Sequence, residues 1–294
     1  MKISVVVITY NRKEFLKRCI NSLVNQNFNK KDCEILIVDD GSNDGTKELI
    51  KNFQRIFCNI RYVYQYNKGY GVARNTGLDK AKGVIVAFTD DDCVVEKDWL
   101  KKIVYSFDRF SDATAVGGSI LNPYNDKLSW AAYILNFSSW FPLGKIRKVR
   151  DIPTANIAYK KSDIYKLHFI EENKYLGYED SIFNFQLFKL GKVILFDPNI
   201  KVYHYHNINN YKDFLINQQR YGKSFLLRGY KVHGFVGNIL IYFKFLNLFC
   251  PRLIYVFFRC LKSKKYLYKF IVNFSIIVRG ELERASSTKY KIIN

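Results

Sequence analysis

Val84-Ile85-Val86-Ala87-Phe88-Thr89-Asp90-Asp91-Asp92 decides how the rest of this 294-residue chain is read. Five apolar residues predict a short buried strand, and the strand runs straight into three consecutive carboxylates. Like charges side by side are costly unless a cation sits among them or the acids face water. In an extended segment Asp90 and Asp92 face the same side. Two hard oxygen ligands on one side suit Mg²⁺ or Mn²⁺, with phosphate oxygens completing the coordination. A solvated acidic turn is the other reading of the same residues.

Working outward, Ile3 to Tyr10 is β-branched and nearly uninterrupted, as in a parallel strand buried on both faces. Asn11 and Glu14 predict a capping box, followed by a helix with apolar residues at Phe15, Leu16, Cys19, Ile20, Leu23 and Val24. Glu34 to Val38 is a second strand ending in Asp39-Asp40-Gly41-Ser42. A second helix opens at Asp44-Gly45-Thr46, and Ile60 to Gln65 is a third strand. Asn67 to Gly71 is a glycine loop, and Val72 to Lys80 a short helix. This β-α-β-α-β-α-β order predicts an α/β, doubly wound, mostly parallel sheet. Ligands of such sheets sit outside the carboxyl ends of the strands. Tyr10, Asp39, Asp40 and the cluster at 90–92 all fall at those ends.

Beyond the acids, Trp99 to Phe107 reads as a helix and Ala115 to Leu121 as a strand. Residues 122–150 read as a long irregular loop with a basic end. Ala155 to Lys160 is a further strand, and Gly177 to Asp180 precedes a helix. Val193 to Phe196 and Ile200 to His206 are two closing strands around Asp197-Pro198. Tyr211 to Leu226 is an amphipathic helix.

Net charge is +21, and residues 225–294 hold 13 Lys/Arg against two acids, Glu281 and Glu283, a balance of +11. Such a tail reads as a partner surface for nucleic acid or anionic lipid. Its apolar pieces, 239–249, 253–258 and 270–278, are interrupted by Lys, Arg and Pro. They fall short of the ~18 apolar residues of a membrane span and fit helices lying in the interface, with a transmembrane hairpin at 236–258 as the alternative. Six cysteines show no CxxC pair and no metal-ligand spacing, so free thiols in a reducing compartment are expected. The N-terminal apolar run is too short for a signal-peptide core. The expected location is cytoplasmic, peripherally associated with the membrane.

Five stretches carry a resemblance. They are Ser4 to Arg12, Val38 to Thr46, Gly69 with Ala73-Arg74-Asn75-Thr76-Gly77, Phe88 to Asp92, and Gly177-Tyr178-Glu179-Asp180. In that order and at those intervals they resemble family 2 glycosyltransferases over residues 1–225. The resemblance implies a GT-A fold (Rossmann-like), a nucleotide-sugar donor with a UDP-sugar favoured, a divalent cation (Mg²⁺ or Mn²⁺), and inversion at the anomeric carbon.

It also implies roles. Thr9, Tyr10, Asn11, Asp39, Asp40, Arg74, Asp90 and Asp91 would bind the donor, with the Tyr10 ring on the nucleobase and Asp39 accepting from a base N–H. Asp92, Asp90 and His204 would hold the metal. Asp180 would be the general base, removing the proton of the attacking hydroxyl. Glu179 and Asn156 would contact the acceptor. Ordinary roles stand beside these: a core aromatic for Tyr10, a turn residue for Asp39, a surface salt bridge for Arg74, and a helix N-terminal acid for Asp180.

The processive members' Gln-x-x-Arg-Trp is absent; Asn217-Gln218-Gln219-Arg220-Tyr221 lacks its first Gln and its Trp. Single-sugar transfer to a hydroxyl of a glycan or lipid-linked acceptor is therefore expected, in surface polysaccharide or glycolipid synthesis. The expected division is a GT-A domain over 1–225 (nucleotide-binding half 1–110, acceptor half 111–225) and a helical, membrane-associating extension over 226–294. A sugar-nucleotide synthase is disfavoured, because no glycine-rich arginine loop follows the first strand. The remaining alternatives are a basic nucleic-acid-binding protein and a catalytically inactive nucleotide-binding protein. No helix-turn-helix, zinc or RNA-binding motif supports nucleic acid as a partner.

Overall fold

A computed structural model of the chain describes residues 1–172, 178–206, 208–222 and 249–289. The chain divides into two units. The first comprises Met1–Leu121, Gly144–Asn173 and Glu179–Tyr205, and the second Asn122–Leu143, Lys174–Tyr178 and His206–Asn294. The expected boundary at 225–226 lies outside the described residues.

The first unit is built on one sheet. Strands β1 (Ile3–Thr9) and β2 (Cys33–Asp39) are buried at every position, as their unbroken apolar runs require. They pair in parallel with each other, with β3 (Ile60–Tyr64) and with β4 (Ile85–Phe88), through helices α1 (Lys13–Val24), α2 (Thr46–Ile56) and α3 (Tyr70–Lys80). Beyond β4 the direction reverses. β4 pairs antiparallel with β8 (Ile157–Lys160), and β8 pairs antiparallel with β6 (Ala113–Leu121). β6 runs parallel to β9 (Val193–His204), which also carries β5 (Cys93–Val95) and β7 (Arg147–Val149), both antiparallel. The order is β3-β2-β1-β4-β8-β6-β9-β5, with helices α4 (Trp99–Arg109) and α6 (Lys161–Ile164) following β5 and β8 in the chain. The sheet is therefore mixed rather than mostly parallel. The periodicity that identifies a strand carries no information on its direction.

Three further expectations are corrected. Asn11 caps nothing: Arg12 stands at the N-cap of α1 without a side-chain bond. Asn11 instead takes a left-handed φ of 52°. The two closing strands are one strand, β9, with a register shift against β6 between Gly118 and Ser119. A Cβ on Gly118 would overlap the Ile200 carbonyl, so the shift needs glycine there. Finally, the loop expected over 122–150 contains a helix, α5 (Lys127–Phe137). α5 is buried on almost every side from Ser129 to Phe137, so it has no polar face to reveal it.

In the second unit, Asp126 caps α5 by accepting from the Ser129 amide at 2.8 Å. Helix α8 covers 211–222, and α9 (Phe249–Leu261), α10 (Lys264–Val272) and α11 (Phe274–Lys289) complete the description. Buried Arg284 of α11 donates to Asn136 at 2.5 Å and to Gln218, tying α11 to α5 and α8. Among the described residues no helix is long and apolar enough to cross a membrane. Most of the alternative hairpin at 236–258 lies outside the described residues.

Candidate active site

The loops after β1 and β2 are zipped together. The Asn11 amide donates to Ser42 Oγ at 2.9 Å, the Asn43 amide to Asn11 Oδ1 at 2.8 Å, and the Lys13 amide to Asp44 Oδ2 at 2.9 Å. The left-handed turn at Asn11 makes this exchange feasible, since Asn tolerates that conformation. Asp39 is fully buried; it accepts from the Ser42 amide and the Tyr62 hydroxyl, each at 2.8 Å. Asp40 accepts from Gln65 at 2.6 Å and from the amides of Lys68 and Gly69 at 3.0 and 2.9 Å. These two acids shape the turn and the glycine loop that launches α3. Tyr10, 45% exposed, presents its ring at the carboxyl end of β1.

The three acids after β4 divide by direction. Asp91 turns inward, accepting from Thr9 Oγ1 at 2.8 Å and from Arg12 Nη1 at 2.8 Å. Arg12 Nη2 reaches Asp92 Oδ2 at 2.7 Å, so one guanidinium bridges both carboxylates. Asp90 and Asp92 converge with Cys93 and His204, one ligand atom of each lying within 4.8 Å of all the others. A turn brings them together, closed by the Cys93 amide on the Asp90 carbonyl at 3.0 Å. His204 is recruited by sheet register: β5 pairs with β9 so that Cys93 stands opposite His204. His204 Nε2 lies 3.4 Å from Asp92 Oδ1. His206, two residues on, belongs to the second unit and lies edge-on to Tyr124 at 5.4 Å.

This crowding shows in the titration of the acids. Burial, with the Asp92 charge behind it, raises the Asp90 carboxyl above its ordinary range against the opposing pull of Arg74 and Arg12. Burial and the Asp92 and Asp90 charges push Asp91 up to about 8, against the opposing pull of Arg12 and Thr9. The Cys93 thiol is raised well above its usual value by burial and by Asp92 and Asp90, so it stays protonated. Two carboxylates and an imidazole remain as donors. That set fits a hard divalent cation such as Mg²⁺ or Mn²⁺.

α3 contributes Arg74, whose Nη1 donates to Glu179 and whose Nη2 lies 3.6 Å from Asp90 Oδ1. The next residue, Asn75, holds the chain ahead of Glu179. It donates to the Phe169 carbonyl at 2.9 Å and accepts from the Phe169 amide at 2.7 Å. Asp180 follows Glu179 at the start of α7 (Glu179–Lys189). It accepts from the Thr154 amide at 3.1 Å and the Ser181 amide at 2.6 Å. Burial, then the charges of Glu179 and Asp151, push its carboxyl up to about 7. A carboxyl with that value is half ionised at neutral pH and suited to accept a proton.

Two expected acceptor contacts are placed differently. Asn156 is fully buried. It accepts from Trp99 Nε1 at 2.8 Å and donates to the carbonyls of Ser119 and Ile200 at 2.9 and 3.0 Å. It pins three parts of the core to one another. Glu179 is buried against Arg74 and positions that cation. Sequence reasoning missed Arg12 as a member of the site. A cation shortly after the first strand, with three carboxylates elsewhere in the chain, was the available signal.

A mixed α/β sheet with an acid pair gathered at its strand ends is the architecture of a GT-A type of protein. Residues 4–167 match the profile of glycosyl transferase family 2, and the chain belongs to that family. Among curated relatives, glycosyltransferase AglE of Haloferax volcanii is 34% identical over 119 residues. That match spans 40% of this chain and only 39% of the relative's length. Among solved structures, the mannosyltransferase PcManGT from Pyrobaculum calidifontis, in complex with GDP-Man and Mn²⁺, superposes with a TM-score of 0.66. It is 16% identical, with 98% of this chain and 87% of that chain covered. S. aureus TarS 1-349 in complex with UDP-GlcNAc gives a TM-score of 0.60 at 18% identity, with 98% and 91% covered. At such identities the structures speak for the GT-A fold.

Proposed function

We propose that this chain transfers one sugar from a nucleotide-diphosphate sugar, a UDP-sugar by preference, to a hydroxyl of a glycan or lipid-linked acceptor, with inversion. The observation that carries the reading is the convergence of Asp90, Asp92 and His204 beside the Arg74–Glu179 pair, in a chain of this family. Asp90, Asp92 and His204 would hold Mg²⁺ or Mn²⁺. That cation, when bound, neutralises charge building on the leaving diphosphate.

The chain's own residues do the rest. The exposed Tyr10 ring stacks on the base. Thr9, Asn11, Asp39, Asp40 and Asp91 act on the donor by shaping the loops that receive it. Arg74 presents a fixed positive charge to the donor, its guanidinium held by Glu179. Asp180 takes the proton of the acceptor hydroxyl as the hydroxyl attacks the anomeric carbon.

In this reading residues 1–225 form the transferase domain, with 1–110 on the donor and 111–225 on the acceptor. Residues 226–294 associate with the cytoplasmic face of a membrane, where surface polysaccharide or glycolipid is assembled. Calorimetry tests it: UDP, GDP and dTDP, each with Mn²⁺ and with EDTA, on wild type and Asp92→Asn. Metal-dependent binding of one nucleotide, lost in the variant, is expected. A folded wild type that binds none of the three overturns the reading.

A further inference from the structure

Helices α9 and α10 have two faces of different chemistry. On the inner side Val256, Cys260, Tyr266 and Phe270 are buried. Tyr266 stacks on Phe141 at 4.1 Å, and the Arg259 guanidinium donates to the carbonyls of Ser138 and Ser139 at 2.9 and 3.0 Å. On the outer side, Ile254, Phe258 and Leu261 form a helical stripe on α9 and are exposed, as are Tyr268, Ile271 and Val272 on α10. Phe257 and Phe274, also exposed, flank buried Phe270 at 5.5 and 5.7 Å, so apolar surface continues from one helix to the next.

The charge on these helices has one sign. Between Phe249 and Val272 the chain carries six Lys/Arg and no Asp or Glu. Lys262, Lys264 and Lys265, in and beside the turn joining α9 and α10, are exposed. A solvated helix face would carry mixed charges in place of Ile, Phe and Leu. A protein partner would need its own acidic patch to match such a one-signed surface. An anionic bilayer supplies negative charge and an apolar layer together. Among the described residues α9 and α10 run for 13 and 9 residues, short of a membrane span of ~20 residues.

We propose that the outer face of α9 and α10 lies in the interface of an anionic membrane, with the apolar stripes in the headgroup–acyl boundary and the three lysines on lipid phosphates. The proposal rests on the membrane-associating reading of the C-terminal region and names its surface and its lipid class.

The test is flotation of the full chain with phosphatidylcholine vesicles, with and without phosphatidylglycerol. Wild type is expected to float with the anionic vesicles only, and to be released at about 1 M salt, where screening is nearly complete. Lys262→Glu, Lys264→Glu and Lys265→Glu together lower the partition coefficient at least about a hundredfold, roughly fivefold per cation. Phe258→Glu with Ile271→Glu, both at exposed positions, abolishes flotation while leaving the melting curve and nucleotide binding unchanged. Wild type that fails to float overturns the proposal. So do glutamate variants that float as well as wild type, which would move the contact to residues 223–248. So does a concentration-dependent dimer broken by the same variants without lipid binding, which would put a second copy on this face. Calorimetric nucleotide binding on the same preparations separates failure here from failure of the transferase reading.

Discussion

The Arg74 guanidinium donates to the Glu179 carboxylate, joining residues 105 apart in sequence inside a buried pair. Burial alone would lower the guanidinium's proton affinity. Glu179 first, then Asp90 and Asp180, outweigh it and hold Arg74 firmly charged. Removing one partner leaves an uncompensated buried charge. Glu179→Ala is therefore expected to cost about 3–5 kcal/mol in denaturant unfolding and to weaken nucleotide binding. Arg74→Lys leaves nucleotide binding weak, because a point charge does not reproduce the guanidinium fork.

Asp180, pushed up to about 7, gives a pH signature. A base works ionised, so kcat/KM is expected to rise with pH through about 7 and level off above it. Asp180→Asn removes that limb and lowers kcat by about 10²–10⁴-fold. Stability moves the other way. The folded value lies above the unfolded one of about 3.9, so the group's contribution is complete at low pH and lost as pH rises through 7. Asp180→Asn is expected to raise the melting temperature more at about pH 8 than at about pH 5.

Register predicts which histidine matters. His204 stands opposite Cys93 and beside Asp92, whereas His206 lies against Tyr124. Electron paramagnetic titration with Mn²⁺ is expected to show His204→Ala weakening binding by at least about tenfold, the lower end of what loss of even an outer-shell partner costs. His206→Ala leaves Mn²⁺ affinity unchanged.

Arg12 bridges Asp91 and Asp92. With its value pushed up to about 8, Asp91 is largely protonated near neutrality and ionised only in alkali. Arg12→Met is therefore expected to lower the melting temperature more at about pH 9 than at about pH 6, where protonation of Asp91 relieves the lost attraction.

Gly71 lies in the first turn of α3, and a Cβ there would overlap the Ile170 carbonyl. Gly71→Ala is expected to destabilise by about 1–3 kcal/mol in denaturant unfolding, despite alanine's better helix propensity. The backbone being struck belongs to the segment that Asn75 holds, so nucleotide binding is expected to weaken along with stability.

The first strands were legible because they are buried on both faces and therefore read as unbroken apolar runs, from Ile3 to Thr9 and from Cys33 to Asp39. The pairing of Asp90 with Asp92 was also legible, although a turn rather than an extended strand brings them together. The reversal at β4–β8 was not, because alternation is the same for both directions. α5 was missed because a helix buried all round shows no amphipathic period. The hydrogen bonds of Asn156 were not legible, because a polar residue before a strand looks the same whatever it faces, and here it faces the carbonyls of Ser119 and Ile200.

The reversal at β4–β8 also bears on the order of assembly. Thr89, at the end of β4, donates to the Ala155 carbonyl, 66 residues further along. The first four strands join through local crossovers, and such contacts form early because their loops are short. On a ribosome, Asp90, Asp91 and Asp92 leave the exit tunnel with Arg12 and Arg74 already made. Glu179 and His204, which complete Arg74 and Asp92, have yet to be synthesised. The half-built chain thus carries its acids before the residues that finish their surroundings.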